Sequence, residues 1–253
     1  MNYDLQKGGM WKRIAAWMFD GILVGILAVG LGVLLSGLLG YDSYSTAVDE
    51  AYRFYEAEYG IVFEITQEEY EHMAEEKRQQ YDDAYAALTA DEAAMYAYNM
   101  MLNLSMVITT GAILLAILLW EFFLPLWLGN GQTLGKKIFG LCLVRTDGVK
   151  VNTLQLFTRA LLGKFTIETM IPVCVLLMLF WGTMDLTGTL ILGALLLAQL
   201  LCLALTRHNG AIHDLLAGTA VVDMSSQTIF RTTEDLIAFQ KKVAAERAAR
   251  QAY

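Results

Sequence analysis

Four long apolar runs dominate the pattern of the chain. The first is Ile14–Leu39 and the second extends from about Met101 to Leu128. The third covers roughly Phe165–Trp181 and the fourth roughly Thr189–Thr206, with the short polar turn GTMDLTG between them. At 1.5 Å per residue each reaches across about 30 Å of hydrocarbon, the third only just. The pattern predicts four membrane-crossing helices. The basic pair before the first run superficially resembles the start of a signal peptide. That run, however, continues to Leu39 without a small-x-small cleavage site near its end, which predicts a retained helix.

Between the first two runs the pattern changes to polar and helical. Thr66-Gln-Glu-Glu69 and Thr89-Ala-Asp-Glu92 both fit the capping box, in which a threonine hydroxyl caps a helix and a glutamate three residues on answers it. They predict helices over about 43–59, 67–87 and from 90 onward, the last running into the second span. Tyrosines at helical spacing (Tyr52, Tyr55, Tyr59) predict a folded insert. At the far end, Thr232-Thr-Glu-Asp235 predicts a tail helix that begins acidic and ends basic through Arg247 and Arg250, matching the helix macrodipole. The chain thus divides into 1–39 (N-tail and first helix), 40–100 (insert), 101–228 (remaining spans and their basic connection) and 229–253 (tail helix).

Composition and charge sharpen this division. Hydrophobic residues make up 56% of the 253 and charged residues 17%, against about 45–50% and about 25% in soluble domains. The net charge of −8 is unevenly spread: residues 40–100 hold fifteen of the 26 acids and ten of the twelve tyrosines. Lysine and arginine set orientation. The N-tail holds Lys7, Lys12 and Arg13, and the second connection holds Lys136, Lys137, Arg145, Lys150, Arg159 and Lys164. The insert has three cations and the third connection none. Both termini are therefore expected in the cytoplasm of a multi-pass plasma-membrane protein, with the acidic insert outside as a solvated helical cap. Cys142, Cys174 and Cys202 are far apart and imply no disulfide and no metal site.

The candidate chemistry is ionic. Asp20 stands inside the first span, seven residues and almost two turns after Arg13, on the same helix face. A mid-membrane carboxylate costs about 2.5–3.5 kcal/mol, which selects for a partner or a water-filled cavity. Glu121 lies near the inner end of the second span and Glu168 near that of the third. Depth alone predicts that Asp20, Glu121 and Glu168 converge in the cytoplasmic third, with Arg13, Arg159 and Lys164 close by. Gly21 and Gly25 follow Asp20 as a small-xxx-small face for close helix packing, which predicts association with a second copy or another membrane protein. The stretch GNGQTLGKKIFGLCLVRTDG lacks the spacing and the Ser/Thr of a phosphate loop. It reads instead as a basic amphipathic segment at headgroup level. His208, His213 and Asp214 fall within seven residues of one another, too little for a metal site. With no nucleophile–base pair and no cofactor fingerprint, neither an enzyme nor a cofactor is expected. Nothing suggests nucleic acid.

Three stretches in order, GMWKRIAAWMFD, GQTLGKKIFGLCLVRTDG followed by FTRALLGK, and HDLLAGTAVV, resemble the RDD family of membrane proteins, named for one arginine and two aspartates. On that resemblance Arg13 and Asp20 take the places of the arginine and first aspartate, and Asp214 that of the second. The resemblance implies an integral membrane protein associated with transport and without a prescribed ligand. The acidic insert and the tail lie outside it. The expectation is therefore an all-α, four-transmembrane-helix bundle with an acidic extracytoplasmic helical insert between helices 1 and 2. Asp20, Arg13, Asp214, Glu121 and Glu168 are the expected binding groups for a cation, a proton or a small solute. The competing expectation is a non-transporting scaffold or sensor, in which these residues lock helices together and the insert binds a partner.

Overall fold

The computed structural model describes residues 5–175, 186–205 and 211–251. The chain separates into two compact units, one formed by the segment up to Val29 and the segment from Ile113 onward, the other by Gly30–Ala112.

Helix α1, Met10–Leu39, is built inside out. Its buried residues are Ala16 and Asp20, one turn apart on one face, while Trp17, Ile22, Ile26 and Val29 are each more than half exposed. Water would not tolerate that arrangement; hydrocarbon as the surrounding solvent does. The second apolar helix runs unbroken from Glu92 to Leu128. It comprises an α-helical length, Glu92–Ile117, one π-helical turn, Leu118–Phe123, and a closing turn, Leu124–Leu128. Pro125 explains the wide turn. It has no N–H for the carbonyl of Glu121 four residues back, and its ring would crowd that oxygen. Winding i→i+5, with the Leu124 N–H donating to the Leu119 carbonyl, relieves both problems.

The expected third span is not one continuous helix. The Thr153–Thr158 helix continues as a π-helix, Arg159–Glu168, and then breaks. Met170 has φ +56°, uncommon for a residue with a side chain, and helix resumes at 171–175. Residues 176–181 of that span, with 182–185 of the turn after it, lie outside the described residues. The fourth run forms the Leu186–Leu205 helix; Thr206 and His208 lie outside the description.

The all-α expectation needs correction. Strand β1, Leu141–Arg145, pairs antiparallel with β2, Thr219–Asp223, in the register Leu141↔Asp223 through Arg145↔Thr219. Both strands are near-continuous apolar runs, LCLVR and TAVVD, buried on both faces. Residues 6–8 lie along the free edge of β2. Lys7 bridges Val222, and the Asp223 N–H donates to the Gln6 carbonyl at 3.0 Å. Lys12 Nζ stands 2.8 Å from Asp223 Oδ2. On the other side Val149 bridges Phe230, and Leu236 of the tail helix Thr233–Gln251 packs into the same buried cluster. The tail helix has its predicted cap: Thr232 Oγ1 accepts from the Asp235 N–H, and Asp235 Oδ2 from the Thr232 N–H.

In the Gly30–Ala112 unit, α2 (Tyr41–Tyr59) begins after Gly40 and ends at Gly60, both left-handed, as sharp turns between helices require. The predicted 67–87 helix is two helices, α3 (Gln67–Glu71) and α4 (Glu75–Ala90), with the Thr66–Glu69 capping box in place. The predicted Thr89 cap is absent. Asp91 caps α5 (Glu92–Ile117) through the N–H groups of Ala93 and Ala94, and the Thr89 hydroxyl bonds back to Tyr85. Asp91 carries a charged, more strongly accepting oxygen, and it stands two residues nearer the helix, directly before Glu92. Phe63 centres the core of this unit, edge-on to Tyr52 and Tyr81 and packed with Ala84, Leu88 and Ala94.

Candidate functional site

A buried ionic cluster occupies the unit that carries the two strands, and its side chains come from five segments: α1, the second apolar helix, the short helix Leu134–Ile138, the π-helix and the Ile212–Ala217 helix. Asp20 comes from α1 and is 3% exposed. Its Oδ1 accepts from Trp120 Nε1 and from the Gly135 N–H, both at 2.9 Å, and its Oδ2 accepts from the Thr133 hydroxyl at 2.5 Å. Thr133 caps the short helix Leu134–Ile138, so the carboxylate lies against that helix's first free amides, where negative charge is favoured. Only glycine allows this at position 135: a Cβ there would stand 2.5 Å from the Ala16 carbonyl oxygen and 2.8 Å from Asp20 Oδ2. The segment read as headgroup-level is therefore folded inward. Thr133 and Lys136 are buried, and within the short helix Lys137 and Ile138 turn out.

Glu121, in the π-turn of the second apolar helix, gathers three cations. Lys164 Nζ lies 2.6 Å from Oε1; Arg159 Nη1 and Lys136 Nζ lie 3.0 and 3.5 Å from Oε2. Arg159 and Lys164 are five residues apart. On an α-helix at 100° per residue they would diverge by about 140°; i→i+5 winding stacks them instead. The π-helix is thus what lets both reach one carboxylate. Arg159 also holds Asp214 through Nε at 3.0 Å and meets His213 Nε2 through Nη2 at 2.8 Å. His213 Nε2 also lies 3.5 Å from Asp214 Oδ1, and its Nδ1 faces Glu168. Gly163 makes this closeness possible, because a Cβ there would stand 2.6 Å from the Cα of His213.

The electrostatics follow from burial set against paired charge. Burial opposes the Asp214 carboxylate, but His213 and Arg159 alongside, with the Arg159 hydrogen bond, outweigh it and hold Asp214 at about 2. Burial likewise disfavours the Arg159 guanidinium, yet Asp214 and Glu121 raise it above its ordinary value. Lys164 is raised against burial by Glu121 and Glu168. Lys136 goes the other way. Burial, with Arg159 and Lys164 as like charges, outweighs Glu121 and Asp20 and brings it down to about 8.

Of the predicted residues, Glu121, Glu168 and Asp214 are linked through Arg159, Lys164 and His213, and Asp20 joins them through Lys136, 4.0 Å from its Oδ2. Arg13 lies in the field of Asp214 and Arg159. The direct holders of Asp20 are Trp120, Thr133 and Gly135. Beside the cluster is a cavity of about 620 Å³, whose lining includes Arg13, Trp17, Asp20, Lys136, Glu168 and Asp214. Sequence reasoning missed Trp120, Thr133, Lys136 and the role of His213. Among the described residues no group of His, Cys, Asp and Glu is placed to hold a metal ion.

These features define a class: a mostly helical membrane protein with a compensated ionic cluster among apolar helices. The chain belongs to the RDD family, a membrane family, whose sequence profile matches residues 7–218. It is also similar to the uncharacterised protein YckC of Bacillus subtilis (strain 168), 28% identical over 107 residues. That match covers 42% of this chain and 56% of YckC. No solved structure matches.

Proposed function

We propose that this protein is transport-related and passes a small solute or a proton through the cavity beside the ionic cluster. The observation that carries this reading is the cavity of about 620 Å³, walled by apolar side chains and by charged groups of both signs. Ionisable groups within membrane segments mark substrate and ion pathways and proton relays. In this reading the protein is non-enzymatic, crosses the plasma membrane four times with both termini cytoplasmic, and presents its acidic insert outside. It works in the bilayer as an oligomer or with other membrane proteins, since four helices are few for a solitary carrier. The Gly21–Gly25 face supports that association: a Cβ on either glycine would meet no described atom within 4 Å. Asp20, with its oxygens already occupied by three donors, anchors α1 to the Thr133–Gly135 turn at the cavity wall. Arg13, Glu168 and Asp214 present charge to whatever enters.

The saturation of Asp20 favours a second reading, a scaffold whose Arg13, Asp20 and Asp214 only lock the fold. Purified protein in liposomes, with imposed proton and salt gradients and internal dyes, separates the two. Transport predicts flux in wild type that is lost in a Glu168→Gln protein of normal thermal stability. No flux under any gradient, with Asp20→Asn lowering abundance alone, would leave the scaffold.

A further inference from the structure

We infer that Lys136 is the proton-exchanging group of this site, its amine taking up and giving back a proton to water in the cavity. The argument begins with which cation the cluster can do without. Glu121 has its shortest contacts with Lys164, at 2.6 Å, and Arg159, at 3.0 Å; Lys136 is third at 3.5 Å. Asp20 is held by Trp120, Thr133 and Gly135, with Lys136 only at 4.0 Å. When Lys136 becomes neutral, each carboxylate therefore keeps its nearer donors. The same loss from Arg159 would strip Asp214 and Glu121 together, and from Lys164 it would remove the shortest contact of Glu121.

Neutral Lys136 is also accommodated locally. Its Nζ stands 3.1 Å from the Thr133 hydroxyl oxygen, and a neutral amine can still donate there. The charged groups facing Nζ come from every element around it: Asp20 on α1, Glu121 on the second apolar helix, and Arg159 and Lys164 on the π-helix. Two anions and two cations surround it, so the support of the anions is opposed by the like charges and the cost of burying its own charge prevails. Lys136 also lines the cavity, so the amine lies on the side of the cluster from which water would reach it in this proposal. A pKa lowered to about 8 is in keeping with this placement. Proton release removes one positive charge from the cavity wall, so the wall's attraction for an anionic group changes near physiological pH. This deepens the transport reading by naming its proton group, while the exchange itself needs only water.

The test uses full-length protein in detergent micelles, labelled with trace isotopic acetic anhydride from pH 6 to 11, with acetylation at Lys136 read by tandem mass spectrometry. A half-maximal reactivity near pH 8, against the 10.5 of an ordinary lysine, is the expected result. A midpoint near 10.5, or no acetylation of Lys136 at any pH, overturns the assignment. Tryptophan fluorescence supplies a second reading, because Trp120 donates to Asp20 beside the amine. The proposal expects a transition near pH 8 that is absent in Lys136→Arg. A transition that persists in Lys136→Arg and vanishes in His213→Gln gives the proton to the histidine instead. Absence of liposome flux together with a Lys136 midpoint near 8 defeats transport alone. Flux with a midpoint near 10.5 defeats the proton assignment alone.

Discussion

Glu121 shows how much of this fold rests on single atoms. Its carboxylate is 2% exposed and takes charge from three side chains on two other segments. Removing one partner of a buried pair costs about 3–5 kcal/mol, because the charges left behind stay dehydrated. Glu121→Gln is expected to lose about that much, read as a lower thermal or SDS-induced unfolding midpoint. Asp214 makes a prediction with a definite sign. Its pKa is depressed from 3.8 to about 2 in the fold, so its contribution is complete above about pH 4 and disappears as pH falls from 4 toward 2. The amount is roughly 2 kcal/mol, and Asp214→Asn should flatten the acid limb of a stability–pH curve in that window. The sequence exposed Asp20, Glu121 and Glu168 because a carboxylate in an apolar run is conspicuous. It hid Trp120, Thr133 and Lys136 because they look ordinary where they stand. Trp120 and Thr133 meet Asp20 across separations of 100 and 113 residues, and only tertiary structure reveals contacts of that length.

Elements, more than residues, decide how the cluster closes. Gly163 lets the π-helix lie against the Ile212–Ala217 helix, and Gly135 lets a backbone amide reach Asp20. Gly163→Ala is expected to cost about 1–3 kcal/mol by overpacking and to separate His213 from Glu168. Both effects are measurable, the first by thermal unfolding and the second by the imidazole NMR shifts of selectively labelled histidine. Most helices were legible from apolar length and capping residues. The π-helices were not, because wide winding leaves no signature in apolar spacing; Pro125 was the one clue to the first. The strands were legible in principle. LCLVR between Gly140 and Asp147-Gly148, and TAVVD after Gly218, are short apolar runs bounded by turn residues. Basic neighbours such as Lys136 and Lys137 made the first run look like part of an amphipathic surface segment.

For the molecule as a whole, the two units carry separate cores. Phe63, Ala84, Leu88 and Ala94 belong to one, and the strand clusters around Leu143 and Val222 to the other. Replacing Tyr41–Asp91 with a short glycine-serine link is therefore expected to leave the pH response of the ionic cluster unchanged within error, as followed by tryptophan fluorescence. Residues 6–8 have a different kind of consequence. Their partners on β2 lie at Val221–Asp223, and the Lys12–Asp223 pair spans 211 residues. At about 5–20 residues per second, the ribosome delivers that partner on the order of ten to forty seconds after the N-terminal segment has emerged. Residues 6–8 wait, unzipped, until β2 has been made, and their docking reports that the two strands are in place. Stalled nascent chains ending before Thr219 should be cut readily by protease around Lys7, and chains extended past Asp223 should resist.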